Sequence, residues 1–231
     1  MVNLEFNEEE HKYTIDGEPS LSVTQLIGSM FKPFDADSLA KKLSSFGWAR
    51  KQGKNEAYWK TDWKKSADHG TEVHEALEDH INKVSNNCNE PKIHQGIRYL
   101  ETHCEDKELL TELKVCNKEA MLAGTIDLME VEGNKVIITD WKTNKKLTDK
   151  PYEKGDVGLV KPIKHLTNCK VNLYYLQLLT YSYILENLED KGYEVVGLRL
   201  VWLEDDSYTI YEFDIDRELR QKIIDWRIEN K

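Results

Sequence analysis

The chain has 231 residues, of which 39% are hydrophobic and 32% charged, and carries a formal net charge of −10. That length suits one domain, or one domain with a helical insertion, and suffices to bury a substantial core. No apolar run approaches the ~20 residues of a membrane span, and residues 1–5 lack the basic and apolar regions of a secretion signal, so the sequence predicts a cytoplasmic protein without a membrane partner.

Residues 4–14 read as a short hairpin. Ser22 or Thr24 then caps a helix through Gln25, Leu26 and Ile27. Residues 35–66 read as helical, broken near Gly47 and Gly53. A second helix, 70–84, carries the stripe Val73, Leu77, Ile81 and Val84, and a third covers about 91–104. Strands follow at 110–117, 121–131 and 135–142. Residues 143–170 form a connection long enough to suggest function or mobility. A helix at 171–188, a hairpin of 194–204 with 207–214, and a helix at 216–229 complete the chain. This order predicts an α/β layered domain with a mixed sheet.

The cysteines Cys88, Cys104, Cys116 and Cys169 are widely spaced and form no Cys-x-x-Cys pair, which predicts reduced thiols rather than a zinc or iron–sulfur site. The net charge hides two basic segments. Leu39 to Lys65 holds eight basic residues against Glu56 and Asp62, and Trp141 to Lys170 holds eight against Asp149, Glu153 and Asp156. Both include aromatics: Trp48, Tyr58, Trp59 and Trp63 in the first, Trp141 and Tyr152 in the second. Such mixtures suit single-stranded nucleic acid; a solvated lysine surface with inward-turned rings is the plainer alternative.

The most informative stretch is 124–144. Gly133-Asn134 signals a two-residue hairpin turn. Counting outward from it sets Asp127 opposite Asp140, with Lys142 on the same face as Asp140. Two carboxylates facing each other in an apolar strand context are costly unless a cation joins them or their pKa values move. A surface ion cluster is the alternative. His74 and Glu78, one helical turn apart, and Gln177 and Tyr181, likewise spaced, are each unremarkable alone. Beside a carboxylate pair, the imidazole of His74 becomes a candidate ligand.

Taken together, Gly70-Thr71-x-x-His74-x-x-x-Glu78, Gly124-Thr125-Ile126-Asp127, Asp140-Trp141-Lys142-Thr143 and Gln177-x-x-x-Tyr181 resemble the PD-(D/E)XK nuclease superfamily, and more narrowly its RecB-like exonuclease branch. Ser22-Val23-Thr24 resembles the N-terminal part of mitochondrial and phage single-strand exonucleases of that branch. Pro162-x-x-x-Leu166-x-x-Cys169 is similar to phage-encoded members. The resemblance implies a restriction-endonuclease-like α/β core with a central mixed sheet flanked by helices, plus an N-terminal helical segment. It implies a single nuclease domain over 1–231, with a hairpin and arch-like segment at 1–69 and the nuclease core at 70–231.

It further implies that Asp127, Asp140, His74 and the Trp141 carbonyl hold one or two Mg²⁺ or Mn²⁺ ions. Lys142 would position or activate the attacking water. Gln177, Tyr181, Thr143, Lys145, Ser22 and Thr24 would hold the substrate, with Glu78 and Glu112 standing behind the ligands. Some relatives carry a four-cysteine iron–sulfur cluster; this chain lacks the C-terminal cysteine group, so none is expected. The implied partner is DNA, single-stranded or with a free end, alongside a helicase or single-strand-binding protein in repair, recombination or phage replication, in the bacterial host cytoplasm if phage-encoded. The leading expectation is a metal-dependent DNA exonuclease. A flap or junction endonuclease and a catalytically inactive nucleic-acid-binding module are the alternatives.

Overall fold

The computed structural model describes residues 2–8, 10, 12–84, 89–188 and 191–231. Cys88 and residues 9 and 11, which fall within the hairpin expected over 4–14, lie outside that set. A mixed sheet forms the centre, in the order β1-β2-β3-β5-β6-β7-β8, with β4 on the other side of β5. The strands are β1 (Leu4–Asn7), β2 (Lys12–Ile15), β3 (Glu18–Ser22), β4 (Glu108–Asn117), β5 (Leu122–Glu132), β6 (Lys135–Lys142), β7 (Glu194–Leu203) and β8 (Tyr208–Phe213). Only the β3–β5 and β6–β7 pairings are parallel. The expected first hairpin therefore supplies two strands of a three-stranded unit joined to the main sheet.

Helices cover both faces. On one face α1 (Val23–Ser29), α6 (Lys170–Glu186) and α7 (Arg217–Glu229) bury Leu26, Leu179 and Ile223 against Val136, Ile138 and Leu198. On the other, α4 (Glu56–Ile81) and α5 (Pro91–His103) bury Val73, Leu77 and Tyr99 against Leu128, Trp141 and Val201. Helix α6 has its apolar residues on all sides, as a helix enclosed by sheet and neighbouring helices requires. Capping fixes the starts: Ser22 and Gln25 form a reciprocal box on α1, Asn55 caps α4, and Glu90 caps α5 ahead of Pro91.

The breaks expected near Gly47 and Gly53 occur, separating α2 (Ala36–Ser45), α3 (Gly47–Lys51) and α4. The helix expected to begin at Gly70 does not begin there. Helix α4 runs unbroken for 26 residues, so the anticipated boundary at 69/70 falls inside it. Its lack of a side chain at Gly70 has a packing reason: a Cβ there would lie 3.1 Å from Thr143 Oγ1. At the other end Lys83 adopts a left-handed φ of 58°, and Val84, expected in the apolar stripe, is exposed beyond the helix.

The connection between β6 and α6 is ordered by its own packing. It contains a 3₁₀ turn (Lys161–Ile163) and a Val157–Thr167 bridge, and it is tied to α1 by Leu159 N–H donating to the Met30 carbonyl at 2.8 Å. Ile163 is fully buried beneath Gly158, where any Cβ would collide with the Ile163 carbonyl.

Candidate active site

The site arises from an irregularity shared by three strands. The β5–β6 ladder runs from Glu132↔Lys135 to Leu128↔Thr139, the register read from Gly133-Asn134, and stops just short of Asp127 and Asp140. The same edge of β5 meets β3 only at Leu122 and Ala123. Between them β5 is paired on that side by neither strand. Asp127 uses the opening: its Oδ2 accepts the Trp141 backbone N–H at 2.9 Å.

The β4–β5 pair is distorted at the same level. Ile126 and Met129, three residues apart on β5, both enter the larger core, and Leu110 and Leu113 on β4 do the same. Strict alternation forbids this. Both strands therefore change phase between these pairs, although the register stays constant from Thr111↔Leu128 to Leu113↔Ile126. The change is taken up by Glu112, whose φ of 47° is left-handed. Such a conformation is uncommon for a non-glycine residue and costs of order 1–3 kcal/mol, which is often retained where it aims a functional group.

The consequence is a three-residue cluster. His74 from α4, Glu112 from β4 and Asp127 from β5 each present a donor atom, all within 4.8 Å of one another. The tautomer of His74 follows from its neighbours. Its Nε2 lies 3.1 Å from the Trp141 carbonyl, an oxygen that only accepts, so Nε2 carries the proton. In the neutral ring Nδ1 is then a bare lone pair, facing Asp127 Oδ2 at 3.4 Å. An imidazole lone pair and two carboxylates at this separation suit a shared cation, and an imidazole oriented through its second nitrogen is the usual arrangement of a metal-binding histidine.

Asp140 and Lys142 form a second, deeper pair. Lys142 Nζ lies 2.5 Å from Asp140 Oδ2, and Gln177 Nε2 donates to Asp140 Oδ1 at 3.3 Å. Burial, and secondarily Asp127, hold the Asp140 carboxyl above its ordinary range, to about 6, against the pull of Lys142. Burial alone would lower the lysine, but Asp140 and Asp127 outweigh it and raise it. Its ammonium also sits 4.6 Å from the centroid of the Tyr174 ring. Lys142 is thus a fixed cation, unsuited to taking a proton. Glu112 is raised to about 7, first by burial and then by Asp127 and Glu78. A proton held there at neutral pH is the least costly way to keep three carboxylates together without a metal.

The other expected residues divide. Thr24, Thr143, Gln177, Lys142 and His74 line one open cleft of about 270 Å³ with Gly70 and Tyr174. Gln177 orients Asp140 in addition to facing the cleft. Tyr181 is a correction: it is only 4% exposed and packs in the core, so it does not meet a substrate. Its ring lies where a Cβ on Gly124 would approach to 2.7 Å, and its hydroxyl is turned toward Gln177. Tyr181 supports the β5 opening and Gln177 from behind. Ser22 spends its side chain on capping α1. Lys145 is exposed and pairs with Asp62 on α4 at 3.0 Å, outside the cleft lining. Glu78 is half-buried and felt by Glu112.

Two placements differ from those expected. Glu112, expected behind His74 and Asp127, lies with them in the three-residue cluster, whereas Asp140 lies outside it and is held by Lys142 and Gln177. Lys92 was not anticipated: it is 9% exposed and its Nζ donates to the Thr143 carbonyl at 2.7 Å, pinning the chain just after Lys142. Its signal in the sequence is faint, a lysine in the first turn of a capped helix. No family model matches this chain, and no curated protein matches it.

Proposed function

We propose that the chain is a metal-dependent nuclease with a restriction-endonuclease-like core, hydrolysing phosphodiester bonds of DNA from single-stranded or frayed ends. The observation that carries this reading is the left-handed Glu112. Backbone strain brings it to His74 and Asp127 beside a buried lysine–aspartate pair, and His74 and Lys142 line an open cleft. A plain surface ion cluster gives no reason for either the strain or the burial.

His74, Glu112 and Asp127 would hold Mg²⁺ or Mn²⁺, with Asp140 beside them. When bound, such an ion lowers the pKa of a water and neutralises charge on a phosphate. Asp127 is fixed by the Trp141 N–H, and His74 by the Trp141 carbonyl, so the backbone of one residue orients both through its two flanking peptides. Lys142, kept cationic by its two aspartates, stands ready to hold a water or a phosphate oxygen and to offset charge developing there. Tyr174 and Gln177 hold that lysine and its partner in place. No helix among the described residues is long and apolar enough to cross a membrane.

Linear and circular single-stranded DNA, each incubated with Mg²⁺ or Mn²⁺ and with EDTA, test the reading against Asp127→Asn. Loss of linear strands alone, abolished by EDTA and by the substitution, supports an exonuclease. Cutting of circles moves the assignment to a structure-selective endonuclease. Binding of DNA with no metal-dependent cleavage of any substrate reduces the protein to a binding module.

A further inference from the structure

Helix α4 continues past the cleft into the N-terminal helical segment. Trp59, Trp63, Ala67, Gly70 and His74 are spaced by four, four, three and four residues and so lie along one helical stripe. Ala67, Gly70 and His74 line the cleft. The two tryptophans extend the same stripe away from it, each joined by rings from another element. Phe34 meets Trp63 edge-on at 5.8 Å, and Trp48 meets Trp59 at 6.0 Å. Phe46 lies nearly parallel to Trp48, with an interplanar angle of 11°.

These rings do not form a small core. Phe34 is 66% exposed, Trp48 49% and Phe46 42%, while the fully buried residues of α2 and α3 are Ala40 and Ala49. Large aromatics on the outside with alanines inside invert the order expected of a self-contained helical unit. Charge favours one occupant. The segment Leu39 to Lys65 holds eight basic residues against two acidic in a chain of net charge −10, and Lys54 lies within 5.7 Å of the Trp48 and Trp59 ring centroids.

We propose that Trp59 and Trp63, with Phe34 and Trp48 beside them, form a stacking track for the bases of the single DNA strand that leads into the cleft. The exposed rings of Phe34 and Trp48, beside the half-buried Trp59 and Trp63, offer faces to any base, and the surrounding lysines offer charge to the phosphates. From Trp59 to His74 the helix spans about 22 Å at ~1.5 Å per residue, long enough to seat several bases. The track lengthens the binding site without touching the reacting groups. This proposal rests on reading the cleft as a DNA site.

The test is the affinity of fluorescein-labelled dT12 in EDTA, so that cleavage plays no part, for the wild type and for Phe34→Ser/Trp48→Ser. Both residues are exposed, and unchanged circular dichroism and melting confirm folding. The expected result is a roughly tenfold weaker Kd with an unchanged slope of log K against log salt, because stacking is lost and no phosphate contact is. Trp48→Phe retains most of the affinity. Unchanged affinity in the double variant overturns the proposal, as does an equal loss for blunt duplex. So does loss of self-association with dT12 binding intact, which makes the face an interface between copies. Track binding without cleavage of any substrate leaves the track standing and removes the nuclease reading. Metal-dependent cleavage with full affinity in the double variant does the reverse.

Discussion

Replacing Glu112 by Gln isolates the charge that the fold holds against its neighbours. In the folded chain this carboxyl titrates at about 7, against an ordinary 4.5. The folded state therefore binds the proton more tightly than the unfolded state. The associated stability is complete below pH 4.5 and is lost as pH rises through 7. At ~1.4 kcal/mol for each tenfold, the whole gap bounds the loss near ~3 kcal/mol. Glu112 is only partly buried, and solvent screening reduces that to about 1–2 kcal/mol. Glutamine keeps the shape and removes the charge. In EDTA at pH 8, Glu112→Gln should melt roughly 2–8 °C above the wild type, and at about pH 4, below the unfolded-state value of 4.5, the two should coincide. Asp140, raised by the same burial, leaves a residual pH slope in both proteins. Mn²⁺ should reverse the order at pH 8, stabilising the wild type and scarcely affecting the variant, since binding linked only to the folded state stabilises it. Thermal melts at two pH values, with and without Mn²⁺, read all four quantities. Equal stability at pH 8 in EDTA, or equal stabilisation of both proteins by Mn²⁺, refutes the account of Glu112.

Lys142→Ala should still bind Mn²⁺ and DNA but lose roughly 10²–10³-fold in turnover, the scale for removing one charge-stabilising donor; a loss of activity matched by a loss of folded protein would make the lysine structural. His74→Ala should weaken Mn²⁺ binding by at least about 10-fold, the low end for losing even an outer-shell partner, by calorimetric titration at pH 8 while leaving the far-ultraviolet spectrum intact, and unaltered affinity would exclude it as a ligand. Gly124→Ala should cost about 1–3 kcal/mol in urea melts. Tyr181→Phe should not rescue it, because the ring carbon Cε1 as well as the hydroxyl lies 2.7 Å from the added methyl. Tyr181→Ala should relieve part of the clash, and a purely additive double variant would show that the contact is not the cause.

Local patterns explain what could be read in advance. Gly133-Asn134 fixes the β5–β6 register, and with it the shared level of Asp127 and Asp140, because a two-residue turn leaves little choice of pairing. The elements from α5 to α7 follow from periodicity and caps. Helix α4 is different: Gly70 looks like a start, yet its neighbours continue the helix, and the reason for a glycine there is the distant Thr143. Glu112 needed information that no local window holds. Its role depends on β4 pairing beside β5 and on a left-handed backbone at a residue type that rarely adopts one. Tyr181 shows the opposite difficulty. Its spacing from Gln177 puts both on one face, but that face meets the β5 opening, and only the nearer end reaches the cleft. The β3–β5 contact, two residue pairs long, leaves almost no trace in sequence.

The central claim is that the strained backbone at Glu112 exists to complete a divalent-cation site with His74 and Asp127. Anomalous diffraction from a crystal soaked in Mn²⁺ near pH 8 tests it most directly. The account predicts a manganese peak among His74 Nδ1 and the Glu112 and Asp127 carboxylates, at bonding distance from all three. A map with no peak there, or with manganese bound while Glu112 points away, would contradict it.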